Sequence, residues 1–331
     1  MKNKIATHAY VLVLIIVLTL NGCSIKKMAM NTVANALTSD TSNTVFTGDN
    51  DPELVGAALP FAIKMYESLL ASLPGHSGLQ LTTGSLYVMY ANAFIHTPAS
   101  MLSEADYKNQ EFMFKRAKNL YLRGRDIILN GLERKHKGFR AKMDQRKFKE
   151  ALAPFKKQDA KMLYWAGAGW MGAFAIDPFD MNLGITLPGA AALIEKVLEL
   201  DPNFGIGDIH NFYILYYGSL PEYMGGSYEK ARQHYQLAVT ASGGKAAAPY
   251  LSLATTVSIA DQNVTEFTEL LQKAVAINTD TSPEIRLVNT LDQRKARWFL
   301  EHVEDFFLPK EEQLPDVPTE PQAEEKKEEI K

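Results

Sequence analysis

The chain has 331 residues, of which 46% are hydrophobic and 22% charged, with a formal net charge of -3. That length supports one large domain or two small ones with a sizeable core. The near-neutral charge excludes the global basic field on which nucleic-acid binding usually rests.

The N-terminus reads as an export signal. Lys2 and Lys4 precede the apolar run from Tyr10 to Leu20, which is too short for an ordinary membrane span. Leu20-Asn21-Gly22-Cys23 follows, and Cys23 is the single cysteine of the chain. A small residue before cysteine suits a signal-peptidase pocket, and the thiol can carry a thioether-linked diacylglycerol. The segment resembles a bacterial lipobox, with Asn21 standing where a small residue is usual. Residues 1–22 are therefore expected to be a signal peptide and Cys23 the lipidated first residue of the mature chain. The alternative is an uncleaved anchor, or cleavage elsewhere. Lipidation would leave no thiol for a disulfide, a nucleophile or a thiolate metal site. Stable anchoring takes more than one acyl chain, and lipoprotein maturation, palmitate included, supplies several. Ser24 follows the cysteine. This resembles an outer-membrane sorting signal of enteric bacteria, but which membrane holds the anchor stays open.

Residues 23–50, rich in Ser, Thr and Asn, read as a linker with a weak amphipathic helix near 28–37. A helical domain is expected over 51–308. It opens at Asp51-Pro52, an N-cap followed by Pro at the first helical position. Helices are predicted near 52–73, 78–96, 103–136, 143–154, 158–177, 187–200, 208–219, 227–241, 247–260, 263–277 and 282–307. The breaks fall at turn chemistry such as Leu73-Pro-Gly75, Asp201-Pro202 and Gly243-Gly244. No stretch alternates like a strand, and apolar residues recur at helical spacing. Residues 309–331 carry four prolines and then a Glu/Lys run. Such a segment cannot bury a core and is expected to be a disordered tail.

The helices repeat. The second helix of a tetratricopeptide hairpin carries a small residue, a large one four later and a small one three after that. Ala190/Ile194/Val197, Ala231/Tyr235/Ala238 and Phe267/Leu271/Ala274 follow this pattern, with a fainter copy at Ala117/Tyr121/Gly124. The spacing drifts around the usual 34 or so residues, and Gly124 to Val197 reads as two repeats. Each hairpin leaves an apolar face uncovered, so hairpins must stack. The expected fold is all-α: a superhelical stack of about four degenerate hairpins with additional helices.

Motifs that mimic chemistry find no support. Gly167-Ala-Gly169-Trp-Met-Gly172 fits a dinucleotide fingerprint, but it lies within helical periodicity with no strand before it. Its glycines read as close helix contacts. The seven histidines show no metal-ligand spacing, and no G-x-S-x-G elbow occurs. No cofactor, no metal and no catalytic residue are expected. Two readings of the aromatic residues stay open. Tyr87, Tyr90, Tyr164, Trp165, Trp170, Phe212, Tyr216 and Tyr217 lie on the first helices of the hairpins, which in helical solenoids line the concave face. They are either core packing or an aromatic groove or pore for an apolar ligand. The basic stretch between Lys115 and Lys149 is either a set of solvated helix faces or a docking patch.

Several segments together resemble the T-component family of TRAP transporters, the tetratricopeptide-containing lipoproteins. They are Tyr121–Asp126, Leu163–Ala168, Leu193–Phe204, His210–Gly226, Glu229–Arg232 and Gln293–Leu300. The resemblance spans about residues 50–308. It implies a periplasm-facing, non-enzymatic lipoprotein that partners a TRAP substrate-binding protein and assembles as a homotrimer around a pore, with a hydrophobic small ligand. The alternative is a general envelope scaffold with no small ligand.

Overall fold

A computed structural model describes residues 25–308. Cys23, the signal peptide and the tail read over 309–331 lie outside the described residues. Among the described residues there is no strand. The all-α expectation holds throughout.

The segment read as a linker is helical and packed. Helix α1 covers residues 25–37 and α2 covers Asp40–Thr47. Ala34 is fully buried, the Tyr66 hydroxyl donates to the Leu37 carbonyl at 2.8 Å, and His76 pairs with Asn35 at 3.0 Å. Sequence polarity concealed this because a few apolar contacts and long-range hydrogen bonds dock the helix, not a broad apolar stripe.

Helix α3 (Pro52–Ser72) starts where Asp51 accepts the Leu54 N–H at 2.9 Å with Pro52 at the first turn. By length and composition α3 is apolar enough to cross a membrane. It nevertheless buries Val55, Leu59, Ile63 and Tyr66 in the core. Helix α4 (Ser77–Tyr90) runs on through a π-helical segment, Ala91–His96, into α5 (Thr97–Ser100). Helices α6 (Tyr107–Lys135), α7 (Phe139–Asp144) and α8 (Phe148–Leu152) follow. The single helix expected over 143–154 is thus two short ones, because the chain turns at Arg146 with φ +58°.

Next come α9 (Ala160–Ile176) and α10 (Met181–Leu200). Helix α10 begins earlier than the sequence implied because Asp180 caps it, accepting the Asn182 and Leu183 N–H groups at 2.9 and 3.2 Å. Pro188 therefore lies inside the helix. The last elements are α11 (Asp208–Ser219), α12 (Tyr228–Ser242), α13 (Ala248–Leu253, continuing as a π-helical segment Ala254–Ser258), α14 (Val264–Val275) and α15 (Arg286–Glu301).

These pair as four hairpins, α4/α6, α9/α10, α11/α12 and α13/α14, with α15 packed on the last. The repeat positions are the packed ones. Ala117, Ala190, Ile194, Val197, Ala231, Ala238, Phe267, Leu271 and Ala274 are fully buried. The long interval between Gly124 and Val197 does not hold two repeats. Helices α6 and α9 pack directly on each other, and α7 and α8 are an insertion between consecutive hairpins.

Glycines set the closest approaches. A Cβ on Gly84 would sit 2.8 Å from the Gly124 carbonyl, and one on Gly124 would sit 2.6 Å from the Gly84 carbonyl. The two helices of the first hairpin therefore cross backbone to backbone. The glycines of the false dinucleotide motif do the same work. A Cβ on Gly167 would meet Ile194 at 2.7 Å, and one on Gly172 would meet Tyr121 at 2.6 Å.

The stack closes on its own beginning. Leu287 of α15 is buried in the same cluster as Val55 and Leu59 of α3. The Arg286 guanidinium donates to the Gly48 carbonyl at 3.2 Å, and Arg294 pairs with Glu53 at 2.5 Å. Polar side chains dock α15 on its other side. Gln293 donates to the carbonyls of Ala274, Val275 and Ile277 at 3.2, 3.1 and 2.7 Å, and so caps the end of α14. Asn289 bridges the Ala247 N–H and the Lys245 carbonyl, each at 2.9 Å.

Candidate site on the inner face of the closed stack

With α15 closed onto α3, one region brings groups of α9, α11, α15 and the π segment within electrostatic reach of one another. A set of titratable groups from separate elements marks it: His96 from the π segment, Tyr164 from α9, Asp208 from α11, and Asp292 and Lys295 from α15. Asp208 has ample accessible area, yet burial pushes its carboxyl up to about 7, with the Asp292 charge adding to the effect. Burial likewise pushes Asp292 up to about 7 against the opposing pull of Lys295. Burial pulls Lys295 down, with Asp292 acting the other way, and pulls His96 down to about 4 with help from Lys295. Burial, and secondarily Asp208, raises the Tyr164 phenol.

These influences form a chain across the interior, from His96 through Lys295, Asp292 and Asp208 to Tyr164. Among the described residues, Asp292 Oδ2 and Asn211 Oδ1 have no hydrogen-bond partner. Unsatisfied acceptors of this kind are costly unless water or a ligand meets them.

The eight aromatic positions named from sequence separate into groups. Tyr87 is 3% exposed, hydrogen-bonds to Glu67 and lies under the Arg123 guanidinium 4.9 Å away. It is core and cannot line a groove. Trp170 donates to Thr186 at 3.1 Å and carries Arg125 over its ring at 4.9 Å, which fixes it between α9 and α10. Trp165 packs edge-on to Tyr164, and Tyr164 lies over Phe204 at 4.8 Å. Phe212 stacks with Tyr216 at 6.4 Å, while Tyr213, Tyr217 and His234 form a second stack at 4.6 to 5.7 Å. Tyr90 stands elsewhere, stacked on Phe94 at 5.8 Å beside α15. Sequence reasoning named these helices because aromatic content is visible along the chain. It missed Asp208, Asn211, Asp292 and Lys295, since a charge on an amphipathic helix reads as solvent-facing until closure is known.

Part of the basic stretch is paired in place. Lys118 holds Asp177 and Asp180, each at 2.8 Å, Arg123 holds Glu67 at 2.5 Å, and Lys135 pairs with Asp159. Two histidines meet, His210 Nδ1 and His234 Nδ1 at 3.1 Å. Burial, then His210, lowers His234 to about 4, so one neutral ring donates to the other. Among the described residues no group of three or more His, Cys, Asp or Glu is placed to hold a metal ion.

The model of the TRAP transporter T-component family matches residues 48–307. A relative described as an uncharacterized protein of Treponema pallidum (strain Nichols) is 34% identical over 302 residues, which is 87% of this chain and 94% of that protein.

Proposed function

Since the chain belongs to the TRAP transporter T-component family, and so serves as an accessory in TRAP transport, we propose that it acts there as a lipid-anchored, periplasm-facing binding protein. Cys23 carries the anchor. The folded domain associates with the periplasmic substrate-binding protein of the system, assembles as a homotrimer, and hands on a hydrophobic ligand through the interior of the closed stack. The work is non-covalent. What supports this reading is the closure of α15 onto α3, together with unsatisfied acceptors on α11 and α15 and the aromatic pair Tyr164 and Phe204.

The test is sedimentation velocity of the soluble chain lacking residues 1–23, mixed with its cognate TRAP substrate-binding protein. A new, faster boundary is expected. Independent sedimentation of two folded proteins, each verified by circular dichroism, would refute the association.

A second reading, an envelope scaffold without a small ligand, is supported by a different feature. A groove of about 520 Å³ runs between α12 and α14, with Glu229, Arg232, Glu266, Glu269 and Lys273 set around an apolar floor of Tyr235, Leu253 and Leu270. Such a groove suits a charged peptide. Substitutions confined to it that abolish the complex, with inner-face substitutions neutral, would favour the scaffold.

A further inference from the structure

The seam where the stack closes is not fully packed. A cavity of about 550 Å³ lies between α3, the π-helical segment, α5 and α15. Its wall is formed mainly by Tyr90, Ala93, Phe94, Pro98, Met101 and Leu291. The volume falls in the range of small-molecule sites, which are mostly apolar with a few placed polar groups.

The backbone makes this space. The wider π turn over Ala91–His96 is a helical irregularity that recurs at functional sites. Across the seam, a Cβ on Gly56 would come within 2.7 Å of the Phe94 ring. The missing side chain therefore lets the Phe94 ring approach α3 closely.

The charges in the wall are of two kinds. Glu53 and Arg294 satisfy each other through two hydrogen bonds, at 2.5 and 3.3 Å. Lys295 is different. Among the described residues it has no carboxylate within ion-pair reach, and its ammonium lies 5.9 Å from the centroid of the Phe299 ring. A cation in the cavity wall without a direct counter-ion can take an incoming anion as its partner. Asp292 and His96 are the titratable groups acting on it. Asp292, close but not in contact, disfavours a multiply charged anion here. One ammonium beside an apolar, aromatic chamber selects a ligand with one negative charge and a greasy body.

We propose that the seam cavity binds amphipathic monocarboxylates, with the carboxylate on Lys295 Nζ and the apolar body between Tyr90, Phe94, Met101 and Leu291. This deepens the ligand-handling part of the proposed function and rests on that reading, but it does not depend on partner association.

The test is isothermal titration calorimetry on the full-length protein in lipid nanodiscs, with empty nanodiscs as reference. The probes are 4-phenylbutyrate and its neutral match, 4-phenylbutan-1-ol. The acid is expected to bind about tenfold or more tighter than the alcohol, an interval of roughly 1.4 kcal/mol. Lys295→Gln should bring the acid down to the affinity of the alcohol, Lys295→Arg should restore the preference, and Ala93→Trp should abolish binding of both. Equal affinities for acid and alcohol in the unsubstituted protein, no binding of the acid, or an acid affinity unchanged by Lys295→Gln would each overturn the proposal. If Lys295→Gln does not fold, the acid–alcohol comparison and Ala93→Trp still decide. Acid binding without partner association would sink the partner-association reading alone; association without acid binding would sink this one alone.

Discussion

Replacing Gly124 by alanine sets two physical effects against each other, and the packing decides the sign. In the interior of a helix, alanine is favoured over glycine by about 1 kcal/mol. Gly124 lies in the middle of α6, so propensity alone forecasts stabilisation. The added Cβ, however, would sit 2.6 Å from the Gly84 carbonyl oxygen and 2.9 Å from Val88 Cγ2. The first of these is backbone and cannot rotate away, so α4 and α6 must separate along their crossing. Overpacking of this kind costs typically about 1–3 kcal/mol, occasionally more, and the loosened helices lose contacts beyond the substituted atom. The net expectation is a loss of about 1–2 kcal/mol. Gly184 supplies the control. It lies in α10, with nothing within 4 Å of where its Cβ would be, so Gly184→Ala should gain about 0.5–1 kcal/mol. Equilibrium urea denaturation followed by the helical circular-dichroism signal reads both. A Gly124→Ala protein as stable as its parent would refute the account of the first hairpin.

Further expectations concern the core, the interior and the anchor. Leu271 is fully buried in α14, so Leu271→Ala should cost about 2–5 kcal/mol, whereas Leu237→Ala, on the exposed side of α12, should stay within about 0.5 kcal/mol. Both are read from urea midpoints, and comparable losses would contradict the repeat register. The Asp292 carboxyl is raised from its usual 3.8 to about 7, so the fold favours its protonated form. That contribution is whole below about pH 4 and is lost as pH rises through about 7. Asp292→Asn should therefore flatten the decline in stability between about pH 5 and about pH 8; an unchanged slope would show that the carboxyl does not face a desolvated interior. Cys23→Ser should remove the lipid mass seen by intact mass spectrometry and release the protein from the membrane fraction, and retention there would contradict the anchor.

The sequence made the repeat legible because the small–large–small spacing reports helix packing directly, and Ala190, Ile194 and Val197 are all fully buried. Gly167 and Gly172 were readable as packing glycines for the same reason: they fall within an unbroken helical period and meet Ile194 and Tyr121. The candidate site was less legible. Tyr87 and Tyr164 look alike in sequence and lie on equivalent helices, yet one is buried in the core and the other is half-buried at its edge. The π-helical stretch over Ala91–His96 has no composition signal, and it is what places Phe94 against Gly56. Helices α1 and α2 escaped as a packed element because hydrogen bonds to distant residues dock them in part, and such partners are invisible along one chain. Closure rests on contacts between residues more than 230 positions apart, such as Arg294 with Glu53, and local periodicity carries no record of them.

The ligand-handling reading and the seam cavity depend on α15 meeting α3, and double electron–electron resonance between spin labels placed at Glu53 and Arg294 measures that meeting directly. A single narrow, short distance distribution is the predicted result. A broad distribution, or one centred far beyond ion-pair neighbours, would mean that the stack is open at this seam.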